Sequence, residues 1–208
     1  MVDEPFGEPF WAKGRDKPPA WRSGPGRRRF ANPWIELVEY DATAPTGFET
    51  QYAVVRFRKL AVGVLPICAD GTVVLVGQQR FATAGYSWEM PEGGAEPEED
   101  PLAGARRELG EEAGLVAASW REVLRMDLSN SVTDERAVCF LAWDLTAGET
   151  APDETERLEV VRVRFRALLE AAGSGLVRDA LTVATAFRAY HMACEGELPA
   201  ELARAMLD

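Results

Sequence analysis

The segment DPLAGARRELGEEAGL, residues 100–115, constrains the local structure of the chain more than any other stretch. Asp100 followed by Pro101 is typical of a helix start, because an aspartate side chain can cap the first turn and proline suits the first helical position. Gly114 is typical of a helix end, since glycine readily adopts the left-handed conformation that terminates many helices. We therefore predict a helix that begins at Pro101 and ends at Gly114.

The charges within this predicted helix are arranged unfavourably. Glu108, Glu111 and Glu112 are spaced i, i+3 and i+4, so their side chains share one helix face and repel one another by roughly 0.2–0.5 kcal/mol per pair. Gly110 costs about 1 kcal/mol relative to alanine, and close backbone packing is our interpretation of it. Local rules that are broken together often mark a functional site.

A divalent cation would explain the crowded glutamates. A hard cation such as Mg²⁺ prefers oxygen ligands and would turn their repulsion into attraction. Arg107, directly before Glu108, could position a carboxylate through a forked hydrogen bond. The alternative is a solvated acidic helix face without a ligand.

The stretch from residue 93 to residue 115 resembles the Nudix box, the signature of the Nudix hydrolase superfamily. That pattern is a glycine, five residues, a glutamate, seven residues, and then R-E-U-x-E-E-x-G-U, where U is a bulky aliphatic residue. Every fixed position is matched at the right spacing, by Gly93, Glu99, Arg107, Glu108, Leu109, Glu111, Glu112, Gly114 and Leu115.

This resemblance implies a fold, a cofactor and a set of roles. The fold is α+β, an α/β/α sandwich around a mixed sheet, and the cofactor is Mg²⁺ or Mn²⁺. Glu108 and Glu112 are the implied core metal ligands, Glu111 is a ligand or the general base, and Glu99 is an accessory ligand. A backbone carbonyl of the 92–94 loop, which we assign to Gly94, is a further implied ligand. The implied reaction is hydrolysis of a nucleoside diphosphate linked to another group.

The segment VGQQRFATAGYSWEMPEGG, which precedes the box, is similar to the corresponding segment of ADP-ribose and sugar-nucleotide pyrophosphatases. By that resemblance Arg80 contacts a substrate phosphate, and Glu89 belongs to the pocket or the metal region. The alternatives are a surface ion pair for Arg80 and a loop hydrogen-bond anchor for Glu89. Trp34 is a candidate for stacking on the base, with packing in a strand or an interface as its alternative.

The substrate class implied by this similarity is a nucleoside diphosphate sugar, which is cleaved to a nucleoside monophosphate and a sugar phosphate. ADP-ribose pyrophosphatases typically carry a proline 15 or 16 residues after the box, where this chain has Asn130 and Ser131. ADP-ribose and other ADP- or GDP-sugars therefore stay open. Glu154 and Glu156, in a second acidic loop, are candidates for a general base or an extra ligand, or else solvated acids.

The chain divides into two expected parts. Residues 1–58 hold an arm rich in Pro, Gly and Arg and then a small antiparallel β unit, and residues 59–208 form the Nudix domain. The arm is either loosely docked or reaches a partner subunit or an anionic substrate. Strand patterns flank a Pro45–Gly47 turn and an Asp70–Gly71 turn, and each turn predicts a hairpin. By resemblance the protein is a homodimer whose N-terminal strands form the interface.

Composition limits the function classes further. With 34 acidic and 23 basic residues the net charge is −11, which argues against nucleic-acid binding through a broad basic face. We expect no membrane association, because no run of about 18 apolar residues is present. The acidic start of the sequence and its three scattered cysteines favour the cytoplasm. The competing functions are a noncatalytic nucleotide sensor and a pyrophosphatase that removes unwanted nucleoside triphosphates.

Overall fold

The computed structural model describes residues 19–148 and 157–208, which form eleven strands and four helices. The strands are β1 (Arg22–Ser23), β2 (Arg27–Ala31), β3 (Ile35–Thr43), β4 (Glu49–Phe57), β5 (Leu60–Pro66), β6 (Thr72–Arg80), β7 (Gly85–Glu89), β8 (Glu92–Ala95), β9 (Leu115–Asp127), β10 (Arg136–Ala147) and β11 (Glu159–Arg164). The helices are α1 (Pro101–Ala113), α2 (Phe165–Ser174), α3 (Ala180–Cys194) and α4 (Ala200–Leu207).

The N-terminal strands form an antiparallel sheet centred on β3. β4 pairs with β3 after the predicted turn, in which Gly47 has a φ of +87° that favours glycine. β1 and β2 also pair with β3, so the expectation of a loosely docked arm is wrong for residues 22–31. Two cross-strand ion pairs join β2 to β3: Arg27 with Asp41 and Arg29 with Glu39. This sheet is the predicted small β unit.

Two further sheets build the main body. One has the order β8-β5-β10-β9, with β5 parallel to β10 and the other pairs antiparallel. The other has the order β11-β6-β7 and is antiparallel. The mixed sheet predicted for the fold is therefore present, and its parallel pair joins segments that lie far apart in the sequence.

The hairpin predicted around Asp70 and Gly71 is only partly formed. The turn exists, with Gly71 at a φ of +78° and its N–H donating to the carbonyl of Cys68 at 2.9 Å. After one isolated bridge between Ile67 and Val73, however, β5 and β6 enter different sheets. The physical reason is that both edges of β5 are already taken, one by β10 and the other by β8.

Two apolar clusters hold the layers together. Val62 and Val64 of β5 pack with Ala105 and Leu109 of α1 on one face of the mixed sheet. Residues that alternate with them, such as Leu65, pack on the other face with the buried residues of α2, α3 and α4. The alternation follows from the two-residue period of a strand. The result is the α/β/α, α+β architecture expected from the sequence.

Candidate active site

Helix α1, which carries the clustered glutamates, has a well-defined cap at each end. The Asp100 side chain accepts a hydrogen bond from the Leu102 N–H at 3.1 Å, and Pro101 is the first helical residue. Gly114 ends the helix with a φ of 63°. Both helix signals read from the sequence are thereby confirmed. The packing of Ala105 and Leu109 on the mixed sheet sets the rotation of the helix, with Glu108 and Glu112 buried and the Glu111 side chain 38% exposed.

Arg107 connects the acidic groups around the helix. Its guanidinium donates to Glu108 at 2.8 Å, to Glu111 at 2.9 Å and to the carbonyl of Gly94 at 3.0 Å, and it contacts Glu99 at 3.4 Å. Partial burial opposes its charge, but the hydrogen bonds to these carboxylates outweigh burial and raise the pKa of Arg107. Arg107 therefore lies within hydrogen-bonding distance of the carboxylates, and its positioning role stays a prediction.

Strand β8 places its backbone against the same helix face. The N–H of Glu92 donates to the Glu112 carboxylate at 2.9 Å. Gly93 lies so close to the Glu108 carboxylate that a Cβ at position 93 would overlap it. The first glycine of the box is thus required by close approach. Gly110 has no such constraint, because a Cβ there would meet no atom within 4 Å, and our interpretation of close packing is wrong.

Glu99 joins the site from the turn before the helix. Its carboxylate accepts a hydrogen bond from the Glu96 N–H at 3.0 Å, and its pKa is lowered chiefly by this bond and then by Arg107. Glu99 therefore remains ionised beside Arg107. A charged carboxylate at this place suits an accessory metal ligand.

These groups line a cleft of about 630 Å³. Trp34 is on its wall with 66% of its surface exposed, and Lys59 is the one described lining residue that carries a positive charge besides Arg107. The described residues lining the cleft are Trp34, Lys59, Glu92, Gly93, Gly94, Glu96, Glu99, Arg107, Glu108, Glu111 and Glu112.

The donor set fits a hard divalent cation. The cleft is lined by the carboxylates of Glu99, Glu108, Glu111 and Glu112 and by the backbone of Gly94. Their carboxylate and carbonyl groups are all oxygen donors, which such a cation prefers. The missing side chain of Gly93 leaves the room that the Glu108 carboxylate occupies. The donor set suits Mg²⁺ or Mn²⁺.

Arg80 and Glu89 lie next to this cleft and bind each other. Nε of Arg80 donates to both carboxylate oxygens of Glu89, at 3.0 and 3.1 Å, and one terminal nitrogen is 3.4 Å from Glu92. The hydrogen bond to Glu89 is the main reason that the pKa of Arg80 is raised. Neither residue is among those that line the cleft.

A second carboxylate cluster, which sequence reasoning missed, lies beside this pair. Glu89, Glu92 and Asp179 each place a carboxylate oxygen within 4.8 Å of the others. Burial, followed by the charges of Asp179 and Glu89, raises the pKa of Glu92 well above its ordinary value. Asp179 caps α3 by accepting from the Thr182 N–H at 2.7 Å. The cap could have been predicted from the sequence, because aspartate is a favoured residue before a helix start. The position of Asp179 beside Glu92 depends instead on the tertiary fold.

Most of the site residues predicted from sequence therefore share one location. The cleft brings together Trp34, Gly94, Glu99, Arg107, Glu108, Glu111 and Glu112. Arg80 and Glu89 are adjacent to it through Glu92. Glu154 and Glu156 lie outside the described residues.

A protein-family model described as a NUDIX domain matches residues 57–182 of this chain. This chain belongs to the Nudix family. The matched residues include α1, β8 and every described residue that lines the cleft except Trp34. The protein is accordingly a Nudix pyrophosphohydrolase.

Two curated proteins and one solved structure resemble this chain along most of its length. Over 155 residues it is 32% identical to the ADP-ribose pyrophosphatase of Bacillus subtilis (strain 168), covering 74% of this chain and 83% of that protein. Over 156 residues it is 28% identical to the methanol dehydrogenase activator of Bacillus methanolicus, covering 74% and 84%. A crystal structure of an ADP compounds hydrolase has the same fold, with a TM-score of 0.78 at 19% identity over 88% of this chain and 100% of that one.

Within residues 19–148 and 157–208, no helix of this Nudix protein combines the length and apolar character needed to cross a bilayer.

Proposed function

We propose that this protein hydrolyses the diphosphate bridge of ADP-ribose or a related ADP- or GDP-sugar, with Mg²⁺ or Mn²⁺ as its cofactor. The products are a nucleoside monophosphate and a sugar phosphate. The observation that carries the proposal is a single cleft that combines the oxygen donors of Glu108, Glu111 and Glu112 with an exposed aromatic ring, Trp34. The first group suits a metal–diphosphate complex, and the ring suits a nucleoside base.

The roles of the metal-binding residues follow from their positions. Glu108 and Glu112 are the core ligands, and Glu99, Glu111 and the Gly94 carbonyl complete the donor set. When bound, the cation neutralises the diphosphate, orients it and lowers the pKa of the attacking water. Arg107 orients the Glu108 and Glu111 carboxylates through its hydrogen bonds to both.

Proton transfer needs a carboxylate that the solvent reaches. Glu111 is the most exposed of the three helix glutamates, so we assign it as acceptor of the proton of the attacking water. Water attacks one phosphorus atom, and the P–O–P bridge breaks on its far side. Glu154 and Glu156 remain the alternative bases.

Substrate binding involves the groups around the metal site. Trp34 stacks on the base, since most of its ring surface is open. Arg80 reaches a phosphate from the Glu92 side of the cleft, and Glu89 orients the Arg80 guanidinium for that contact.

The assembly and location of the protein belong to the same proposal. Residues 1–58 mediate a homodimer, and residues 59–208 form the catalytic domain. Large exposed apolar side chains on the N-terminal sheet and its turn, among them Phe30 of β2 and Phe48 just before β4, support an interface there. A protein with a net charge of −11 that hydrolyses nucleotides suits the cytoplasm and disfavours nucleic acid as a partner.

A substrate panel tests the function. The purified full chain is assayed with Mg²⁺ and with Mn²⁺ against ADP-ribose, ADP-glucose, GDP-mannose, NADH, diadenosine polyphosphates and nucleoside triphosphates, and products are identified by mass spectrometry. We expect AMP or GMP plus a sugar phosphate from a diphosphate-linked sugar. Preferred cleavage of nucleoside triphosphates would contradict the substrate class, and tight nucleotide binding without any turnover would favour the sensor.

A further inference from the structure

The charges that line the cleft are strongly unbalanced. Six glutamates line it, and within the described part of the chain only Arg107 and Lys59 supply positive charge there. A diphosphate ester is itself an anion. A bound divalent cation offsets the carboxylates, and a further positive charge beside it would hold phosphate oxygens that do not contact the metal.

Arg107 is already occupied. Its guanidinium has four oxygen-bearing partners, three carboxylates and the Gly94 carbonyl. Turning it toward a ligand would leave Glu108, which is buried, without this partner. Breaking hydrogen bonds to buried charged groups costs free energy. Arg107 therefore keeps its carboxylate partners and does not bind the substrate.

Lys59 is held much more weakly. Its one ion pair within the described residues joins Nζ to Glu96 at 2.6 Å, and the two side chains are 41% and 62% exposed. Exposed ion pairs contribute only about 0–1 kcal/mol, because water screens both charges. The ammonium group can therefore exchange Glu96 for an anionic ligand at small cost.

The stem of Lys59 fixes where its amine can go. Lys59 directly precedes β5, whose residue Ala61 pairs with Gly94 of β8. The stem lies over Gly94, since a Cβ built there would be 2.7 Å from Cδ of Lys59. Trp34 is adjacent, because its carbonyl accepts a hydrogen bond from the Arg58 N–H at 3.0 Å. The amine is thus placed between the proposed base-stacking ring and a proposed metal ligand.

We propose that Lys59 binds a phosphate oxygen of the substrate, releasing Glu96 as it does so. It is then a specificity-determining residue for diphosphates, and it neutralises charge on the phosphate released when the bridge is cut. This inference rests on the proposed function, because it requires a diphosphate in the cleft. A lysine suits the task, since its ammonium is a flexible point charge with three donors.

Binding measurements separate the two proposals. Calorimetry with Mg²⁺ and the α,β-methylene analogue of ADP-ribose, which cannot be hydrolysed at its bridge, is performed on the full-length wild type, Lys59→Met, Lys59→Arg and Arg204→Met. We expect Lys59→Met to raise Kd about five- to tenfold, a modest loss for one partly exposed charged contact. Lys59→Arg should stay within about threefold, since it keeps the charge. Arg204→Met, an exposed change on α4 with the same loss of charge, should bind as the wild type does.

The outcomes can be told apart. If Lys59→Met binds the analogue as tightly as Arg204→Met while the wild type cleaves diphosphates, the role of Lys59 is refuted and the proposed function stands. If the wild type neither binds the analogue nor cleaves any diphosphate, the proposed function itself fails.

A labelling experiment reports directly on the amine. The sequence has only three lysines, Lys13, Lys17 and Lys59, so amine acetylation can be followed at each by mass spectrometry. We expect the analogue with Mg²⁺ to slow acetylation of Lys59 at least several-fold relative to Lys13 and Lys17. Equal acetylation of Lys59 with and without the saturating analogue would overturn the contact.

Discussion

Gly93 and Glu108 are in direct contact: the carboxylate of Glu108 fills the space that a side chain at position 93 would need. Strand β8 and helix α1 can therefore approach closely only with glycine at this position. The contact sets where the Glu108 oxygens stand relative to the Gly94 carbonyl. It links the first glycine of the Nudix box to the geometry of its proposed metal ligands.

Replacing this glycine should damage the site. We expect Gly93→Ala to destabilise the fold by about 1–3 kcal/mol through overpacking and to lower kcat, since Glu108 must move. Gly24→Ala is the matched control, because a Cβ there would meet no atom within 4 Å and Gly24 lies outside the cleft. Thermal unfolding and kcat of both variants provide the measurement. Equal behaviour of the two would contradict the contact.

Removing the charge of one proposed metal ligand should strongly reduce turnover while the fold survives. Glu112→Gln keeps an oxygen that can accept the hydrogen bond from the Glu92 N–H, yet it loses the charge that binds the cation. We expect kcat to fall at least about a hundredfold with the unfolding temperature nearly unchanged. Glu98→Gln, an exposed change in the loop before α1, controls for net charge. Near-normal turnover of Glu112→Gln would refute the ligand role.

Gly110 offers a stabilising change. Its backbone is helical and a Cβ would meet no atom within 4 Å, so alanine adds helix propensity without a clash. We expect Gly110→Ala to raise the free energy of unfolding by about 0.5–1 kcal/mol and to leave kcat unchanged. Gly104→Ala should instead destabilise, since its Cβ would stand 3.0 Å from Cβ of Ala95. Denaturant titration distinguishes the pair, and a destabilised Gly110→Ala would count against this description of α1.

The raised pKa of Glu92 predicts that the free energy of unfolding depends on pH. Below the pKa of an unfolded glutamate, about 4.3, Glu92 is protonated in both the folded and unfolded states and carries no penalty. Between that pH and the raised pKa of the folded state, Glu92 ionises in the unfolded chain but stays protonated in the folded protein. The free energy of unfolding therefore falls as pH rises through this range.

Glu92→Gln should therefore be more stable than the wild type at pH 8 in the presence of EDTA, and the difference should shrink toward pH 4. Urea unfolding at both pH values measures this, with Glu98→Gln as the exposed control. A difference that is independent of pH would show that Glu92 does not carry this penalty.

Local sequence signals predicted the catalytic helix well, because Asp100, Pro101 and Gly114 act through contacts with their near neighbours. The motif likewise predicted that Glu108, Glu111 and Glu112, the proposed metal ligands, lie together, since they share one helix. The position of Asp179 beside Glu92 could not be read in this way, because it depends on how α3 packs against the strands. β9 and α4 were not predicted either. β9 mixes half-buried with exposed residues and has no fully buried one, so its apolar pattern is weak.

The parallel pairing of β5 with β10 has a consequence for folding. Val62 pairs with Val138 only after the chain between them has closed into a long loop. Loop closure lowers the entropy of the chain before the strand contacts can stabilise it. Both β8 and α1 lie inside this loop. Folding of the sheet and assembly of the metal-binding face should therefore be a single cooperative event, in which amide protons of β5, β10 and α1 exchange with solvent through the same global opening.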